Sequence, residues 1–161
     1  MKALVTGSSG FVGRHFVPFL QNQGYQVTEI DIKTGNDCRD FFKNSEEQFD
    51  LVVHLAAIVG GRATIEGEPL SVATDLSIDA EMFNWAIKTK PNKIVYYSSS
   101  AAYPTQLQEH GLDMKLQEDM IDLENIRNPD ESYGWAKLTG EMLANYARKA
   151  GIKVYVFRPF S

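Results

Sequence analysis

Short apolar runs and longer amphipathic stretches alternate along this chain, and the alternation predicts strands and helices in turn. Runs at Ala3–Val5, Gln26–Ile30, Leu51–Leu55, Ile94–Tyr97 and Val154–Phe157 are rich in Val, Ile and aromatic residues, the composition of strands. Between them, helical spacing predicts helices over Phe11–Asn22, Leu76–Lys88 and Tyr133–Lys149, with a short piece near Arg39–Lys43. In the last helix Leu138, Met142, Leu143, Tyr146 and Ala147 recur on one side, and Gly151 supplies a stop. Strands alternating with helices imply βαβ units, and parallel strands need such crossovers. Right-handed crossovers then reduce the choice to an α/β, doubly wound parallel sheet covered on both faces, with the expected order 3-2-1-4-5.

Composition narrows the class. A chain of 161 residues with 43% hydrophobic and 23% charged residues suits one globular domain, here taken as residues 1–161. The net charge of −5 offers no basic footprint for nucleic acid or an anionic membrane. Cys38 is the single cysteine, so no internal disulfide is possible and no Cys/His set marks a metal site. No apolar run approaches membrane-span length and no basic leader precedes the first strand, so a cytoplasmic protein is expected. Pro104–Glu131 is too long for a simple connection and is expected beside a substrate. Arg158-Pro159-Phe160-Ser161 follows the last strand at once, which reads as a fragment whose substrate walls lie elsewhere.

Thr6-Gly7-Ser8-Ser9-Gly10-Phe11-Val12-Gly13 joins the first strand to the first helix. In such a loop the first glycine permits a tight turn, the second lets backbone approach a pyrophosphate, and the third lets helix and strand pack closely. Phosphate would sit on free N–H groups of the loop and helix start, Phe11 and Val12 included, at the positive end of the helix dipole. The loop therefore points to a Rossmann-type dinucleotide site. Asp31 ends the second strand eighteen residues after Gly13, near the ~20-residue spacing of an acid that binds the adenosine ribose hydroxyls. A 2′-phosphate would be repelled there, which favours NAD over NADP. Asp37, with Cys38 beside it, is placed to meet the adenine. Leu55, Ala56 and Ala57 leave the third strand at the sheet edge where ligands bind, and the small residues let backbone lie against the cofactor. His54 reads as a packed strand residue, His15 and His110 as surface ones.

Ser98-Ser99-Ser100 ends the fourth strand at the same edge. Tyr133 and Lys137 stand four apart at a helix start, so they share a face. An ammonium held close to a phenol is expected to lower its pKa from ~10. The phenol could then take a proton from a sugar hydroxyl as hydride leaves for nicotinamide. A serine hydroxyl would hold the same oxygen, and the lysine would bridge the nicotinamide ribose.

These motifs together resemble the extended short-chain dehydrogenase/reductase family, also called the NAD-dependent epimerase/dehydratase family. The resemblance rests on Gly7-x-x-Gly10-x-x-Gly13, Asp31, His54-Leu55-Ala56-Ala57, Ser98-Ser99-Ser100, Tyr133-x-x-x-Lys137 and Arg158-Pro159-Phe160. Gly60-Gly61 and Tyr103-Pro104 look like the GDP-mannose 3,5-epimerase and GDP-fucose synthase branch. Anchoring on Tyr103-Pro104 places the family's catalytic serine at Ser99, with Ser100 as a substrate contact; anchoring on the start of the run would allow Ser100. The branch's proton-shuttling cysteine is replaced by Ala101, which cannot move a proton, and the usual asparagine after the third-strand loop by Asp75.

The resemblance implies a bound NAD, a nucleotide-sugar substrate, a smaller substrate domain and a homodimer paired through helices equivalent to Leu76–Lys88 and Tyr133–Lys149. Met82, Phe83, Trp85, Met142 and Tyr146 would either face that partner or pack on the sheet, about half of them the latter. The expected activity is epimerisation or dehydration of a sugar nucleotide by transient oxidation. Reduction of a keto-sugar or other carbonyl, and a cofactor-binding module without catalysis, are the alternatives.

Overall fold

The computed structural model describes residues 1–58, 67–108 and 114–160. Five strands, β1 (Lys2–Thr6), β2 (Gln26–Ile30), β3 (Leu51–His54), β4 (Lys93–Tyr97) and β5 (Lys153–Phe157), form one sheet in which every pairing is parallel. Among the described residues four α-helices lie between the strands: α1 (Gly13–Asn22), α2 (Cys38–Asn44), α3 (Val72–Thr89) and α4 (Glu131–Lys149).

The strand order is β2-β1-β3-β4-β5, not the 3-2-1-4-5 expected. The residues explain the difference. In β3, Val52, Val53 and His54 are all buried, a run that needs neighbours on both sides. β2 exposes Gln26 and Glu29 and so tolerates an edge. β3 therefore lies beside β1, on the side away from β2. The chain reverses its winding between β1 and β3, and the crevice above their carboxyl ends is the sheet's switch point.

One face of the sheet carries the larger core. Leu4, Val52, Ile94 and Val154 pack there against Phe42 of α2, Met82 and Trp85 of α3, and Ala144 of α4. On the other face Ala3, Val5 and Val53 pack against Val17 and Leu20 of α1. Along β5 that second face leaves Tyr155 and Phe157 about half exposed. The expectation of a sheet covered on both faces is thus met over β1 and β3. Met82, Phe83 and Trp85 are buried within the chain itself, while Tyr146 is exposed on α4.

Helix α1 starts at Gly13, two residues after the expected Phe11, because Gly10 and Val12 are still in turns: the Gly10 amide donates to Gly7 O at 3.0 Å. α3 starts at Val72, four residues ahead of the expected Leu76. Among the described residues no helix is long and apolar enough to cross a membrane.

Candidate active site at the switch point

The glycine loop is held by its own backbone. Gly7 has φ +67, the left-handed region, and a Cβ there would lie 2.9 Å from Ala56 N and 3.0 Å from Leu55 O. A Cβ on Gly13 would drive into Gly7 O and stand 2.7 Å from the Ser8 backbone. The Gly7 amide donates to Ile30 O at 2.8 Å, and the Ser9 amide to Asp31 Oδ2 at 2.8 Å. Among the described residues the amides of Phe11, Val12 and Gly13 find no partner. Three free N–H groups thus face out of a helix start beside the exposed Phe11 side chain. Such a cradle fits an anion.

Asp31 is buried at the end of β2. Besides Ser9, the Lys33 amide donates to its Oδ1 at 2.8 Å, so the carboxylate is fixed in place with lone pairs to spare. The Asp37 carboxylate is engaged by Arg39, whose Nη2 reaches Oδ2 at 2.5 Å and whose amide reaches Oδ1 at 2.9 Å. The Arg39 guanidinium holds this carboxyl below the usual range. The Cys38 thiol is buried in the core, where desolvation pushes it up to about 12. Only the Cys38 backbone is left to meet a ligand. Ala56 and Ala57 stand half-buried at the carboxyl end of β3, and the Ala56 amide donates to Thr6 Oγ1 at 3.3 Å.

The serine run and the helix of Tyr133 are tied to one another. Ser99 Oγ accepts from the Ala101 amide at 3.2 Å and so caps the 3-10 turn Ser100–Ala102. The Asp130 amide donates to Ala101 O at 2.9 Å, and Gly134 lacks a Cβ where one would strike that same oxygen. Ser98 is not free: its hydroxyl donates to the buried Glu141 at 2.5 Å. Arg158 grips the same carboxylate through Nε at 2.8 Å and Nη2 at 2.7 Å, and donates from Nη1 to Glu118 O at 2.8 Å. One buried ion pair therefore joins β4, α4, the end of β5 and the long loop. Within that loop a cavity of about 230 Å³ is lined by Ala102, Leu107, Met120, Ile126, Arg127 and Leu138.

Lys137 is buried, and its Nζ lies between two aromatic faces, 5.4 Å from the Tyr96 ring centre and 5.7 Å from that of Tyr133. The Tyr133 phenol does not follow expectation. Its pKa is raised to about 12, first by desolvation and then by the carboxylates of Asp75 and Asp79. The ammonium faces the ring rather than the phenol oxygen, so burial and two anions decide the direction. Asp75 is itself pushed upward by burial, and its Oδ1 accepts from the Ile58 amide at 2.6 Å.

The residues that sequence reasoning passed over are Glu141, Asp79 and Tyr96. Asp75, Ile78, Asp79 and Met82 recur at helical spacing on the inner side of α3, and two acids on an apolar stripe are the signal that was available. His54 is buried, as expected, and His15 is exposed. His110 and Gly60-Gly61 lie outside the described residues.

A parallel sheet with a free-amide helix start at its switch point defines a protein of the Rossmann-type α/β class. The chain belongs to the NAD dependent epimerase/dehydratase family, whose model matches residues 3–161. It is 26% identical over 155 residues to a GDP-L-colitose synthase from Yersinia pseudotuberculosis, covering 92% of this chain and 48% of that protein. A dTDP-4-dehydro-6-deoxy-D-allose reductase from a Streptomyces species is 26% identical over 184 residues, covering 97% of this chain and 54% of the reductase. Among solved structures, a UDP-galactose 4-epimerase matches with a TM-score of 0.78 at 26% identity, over 98% of this chain and 55% of the epimerase. The chain spans about half the length of these relatives.

Proposed function

We propose that this chain binds NAD across the switch point and works in the epimerisation or dehydration of a nucleotide sugar. The observation that carries the proposal is one sheet edge holding both a glycine cradle with three unpartnered amides and a buried Lys137 beside Tyr133. Gly7, Gly10, Phe11, Val12 and Gly13 would hold the pyrophosphate, Asp31 the adenosine ribose, and Leu55, Ala56 and Ala57 the cofactor's flank. Asp37 would reach the adenine only by sharing its carboxylate with Arg39, beside the Cys38 amide. When bound, NAD supplies reversible hydride acceptance.

The chain's own groups would move the proton. Tyr133 exchanges it with a sugar hydroxyl, Ser99 holds the same oxygen, Ser100 contacts the substrate, and Lys137 holds the nicotinamide ribose. With its pKa at about 12, Tyr133 is a protonated phenol at neutral pH. Acting as a base requires added positive charge near its oxygen, from the Lys137 ammonium turning off the ring or from a cationic ligand. We further propose pairing of two copies through α3 and α4, where Leu76, Ile87, Trp135 and Tyr146 are exposed.

The same protonated phenol favours a second reading, a reductase in which Tyr133 donates its proton to a keto-sugar carbonyl. Incubation of a panel of GDP-, UDP- and dTDP-sugars with NAD, and of their keto derivatives with added NADH, separates the two. An epimerase or dehydratase converts sugar with no net change in nicotinamide absorbance, whereas a reductase consumes NADH in proportion to product. Tyr133→Phe should abolish either conversion while leaving NAD binding intact. Unchanged turnover in that variant would remove Tyr133 from the chemistry, and NAD binding without conversion of any sugar would leave a cofactor-binding module.

A further inference from the structure

Beneath Lys137 lies a buried chain of polar groups that the proposed chemistry does not use. Asp79 of α3 is 2% exposed, and both its oxygens are engaged. The Tyr96 hydroxyl donates to Oδ2 at 2.5 Å, and His54 Nε2 stands 3.2 Å from Oδ1. On its other side His54 Nδ1 is 2.8 Å from Thr6 Oγ1. That hydroxyl already accepts from the amides of Leu55 at 3.2 Å and Ala56 at 3.3 Å. With its lone pairs turned to those amides, the Leu55 one shared with Thr6 O, the Thr6 hydroxyl is placed to donate to Nδ1, which leaves Nε2 to donate to Asp79. The chain of contacts therefore runs from the residue before the glycine loop, through β3, to Asp79 and Tyr96.

The far end of this chain is Lys137. Tyr96 is fully buried, stacks on His54 at 6.2 Å between ring centres, and presents its other surroundings to the ammonium 5.4 Å from its own ring centre. Helix α4 is shaped around the pair. Gly140 lacks a Cβ where one would strike the Tyr96 hydroxyl and lie 2.7 Å from Asp79 Oδ2. A buried carboxylate is costly unless it is hydrogen-bonded and matched by opposite charge. Two hydrogen bonds answer the first need. For the second, Asp75 on the same helix adds like charge, and Lys137 is the ammonium whose charge reaches both acids, with the His54 ring beside Asp79.

We infer that Asp79 is a positioning residue of the candidate active site, a buried counter-charge that holds the Lys137 ammonium in the gap between Tyr96 and Tyr133 by way of the Tyr96 ring. This rests on the reading that Lys137 meets the nicotinamide ribose. It assigns Asp79 to the nicotinamide half of the site, the end of the contact chain opposite Thr6 and the glycine loop.

Calorimetric titration of NAD and of ADP into this protein and its variants tests the assignment, since ADP has no nicotinamide half. Asp79→Asn keeps the shape but removes the charge. It should weaken NAD binding about tenfold, the effect of one lost charge-assisted contact, and leave ADP binding within about twofold. Lys137→Met should weaken NAD similarly, and combining it with Asp79→Asn should cost nothing further, because one residue acts through the other. Tyr96→Phe, which removes the bridging hydroxyl alone, should show a smaller loss confined to NAD, and it carries the test if Asp79→Asn fails to fold. Equal losses of NAD and ADP, or losses in Asp79→Asn and Lys137→Met that add, would overturn the role of Asp79. Wild-type NAD affinity in Lys137→Met would instead remove Lys137 from the ribose, and the inference with it.

Discussion

The two ends of the switch-point crevice hold their geometry by different means. At the glycine loop the shape is set by backbone: φ +67 at Gly7, a Gly13 pressed against Gly7 O, and three amides with no partner among the described residues. Around Tyr133 the shape is set by side chains, and their charges are unbalanced. Burial and the carboxylates of Asp75 and Asp79 hold the phenol at about 12. A site of hydrogen-bond donors is ready in the absence of its ligand, whereas a site built on a titrating phenol takes its working charge only when positive charge arrives. The glycine loop should therefore fail on steric change, with Asp31 as its charge-sensitive neighbour, and the Tyr133 end should respond first to a change of charge.

The largest expected effect breaks the first half sterically. Gly13→Ala puts a methyl group into the Gly7 carbonyl and the Ser8 backbone, and should cost on the order of 3 kcal/mol in a urea melt. Calorimetry should find NAD binding lost. A Gly13→Ala protein that binds NAD normally would show that the loop is not rigid.

A middling effect sharpens the cofactor choice. Asp31→Asn keeps a side-chain oxygen for the Ser9 or Lys33 amide but loses the charge. It should weaken NAD binding by about tenfold, roughly 1.4 kcal/mol, while NADP binding stays level or improves. A fall in both affinities alike would argue that Asp31 only braces the loop.

The smallest effect concerns Tyr133 and alkali. Its folded pKa lies above the ordinary value of 10, so the folded state keeps a proton that the unfolded chain gives up. Stability should therefore decline as pH rises from 10 toward about 12. Tyr133→Phe should flatten part of that decline in denaturant melts; an unchanged slope would mean that the phenol is not buried as described.

Much of this was legible in the residues themselves. The strands, the glycine loop, Asp31 and the Tyr133/Lys137 pair follow from local rules of spacing and turn chemistry. What escaped was non-local. The strand order depended on β3 being buried on both sides, which local periodicity does not report. The pKa of Tyr133 depended on Asp75 and Asp79, more than fifty residues earlier in the sequence, and their charge at the phenol exists only once α3 packs on α4. The Glu141–Arg158 pair, seventeen residues apart, likewise needs β5 beside β4 before the two can meet.

The central claim is that one dinucleotide bridges both halves of the crevice. Amide and tyrosine NMR spectra recorded as NAD is added test it most directly. Saturable shifts at Gly7–Gly13, Asp31 and Ala56–Ala57, together with a shift of the Tyr133 ring at the same midpoint, are the predicted result. Shifts confined to the glycine loop, with Tyr133 and Lys137 unmoved at saturation, would contradict it.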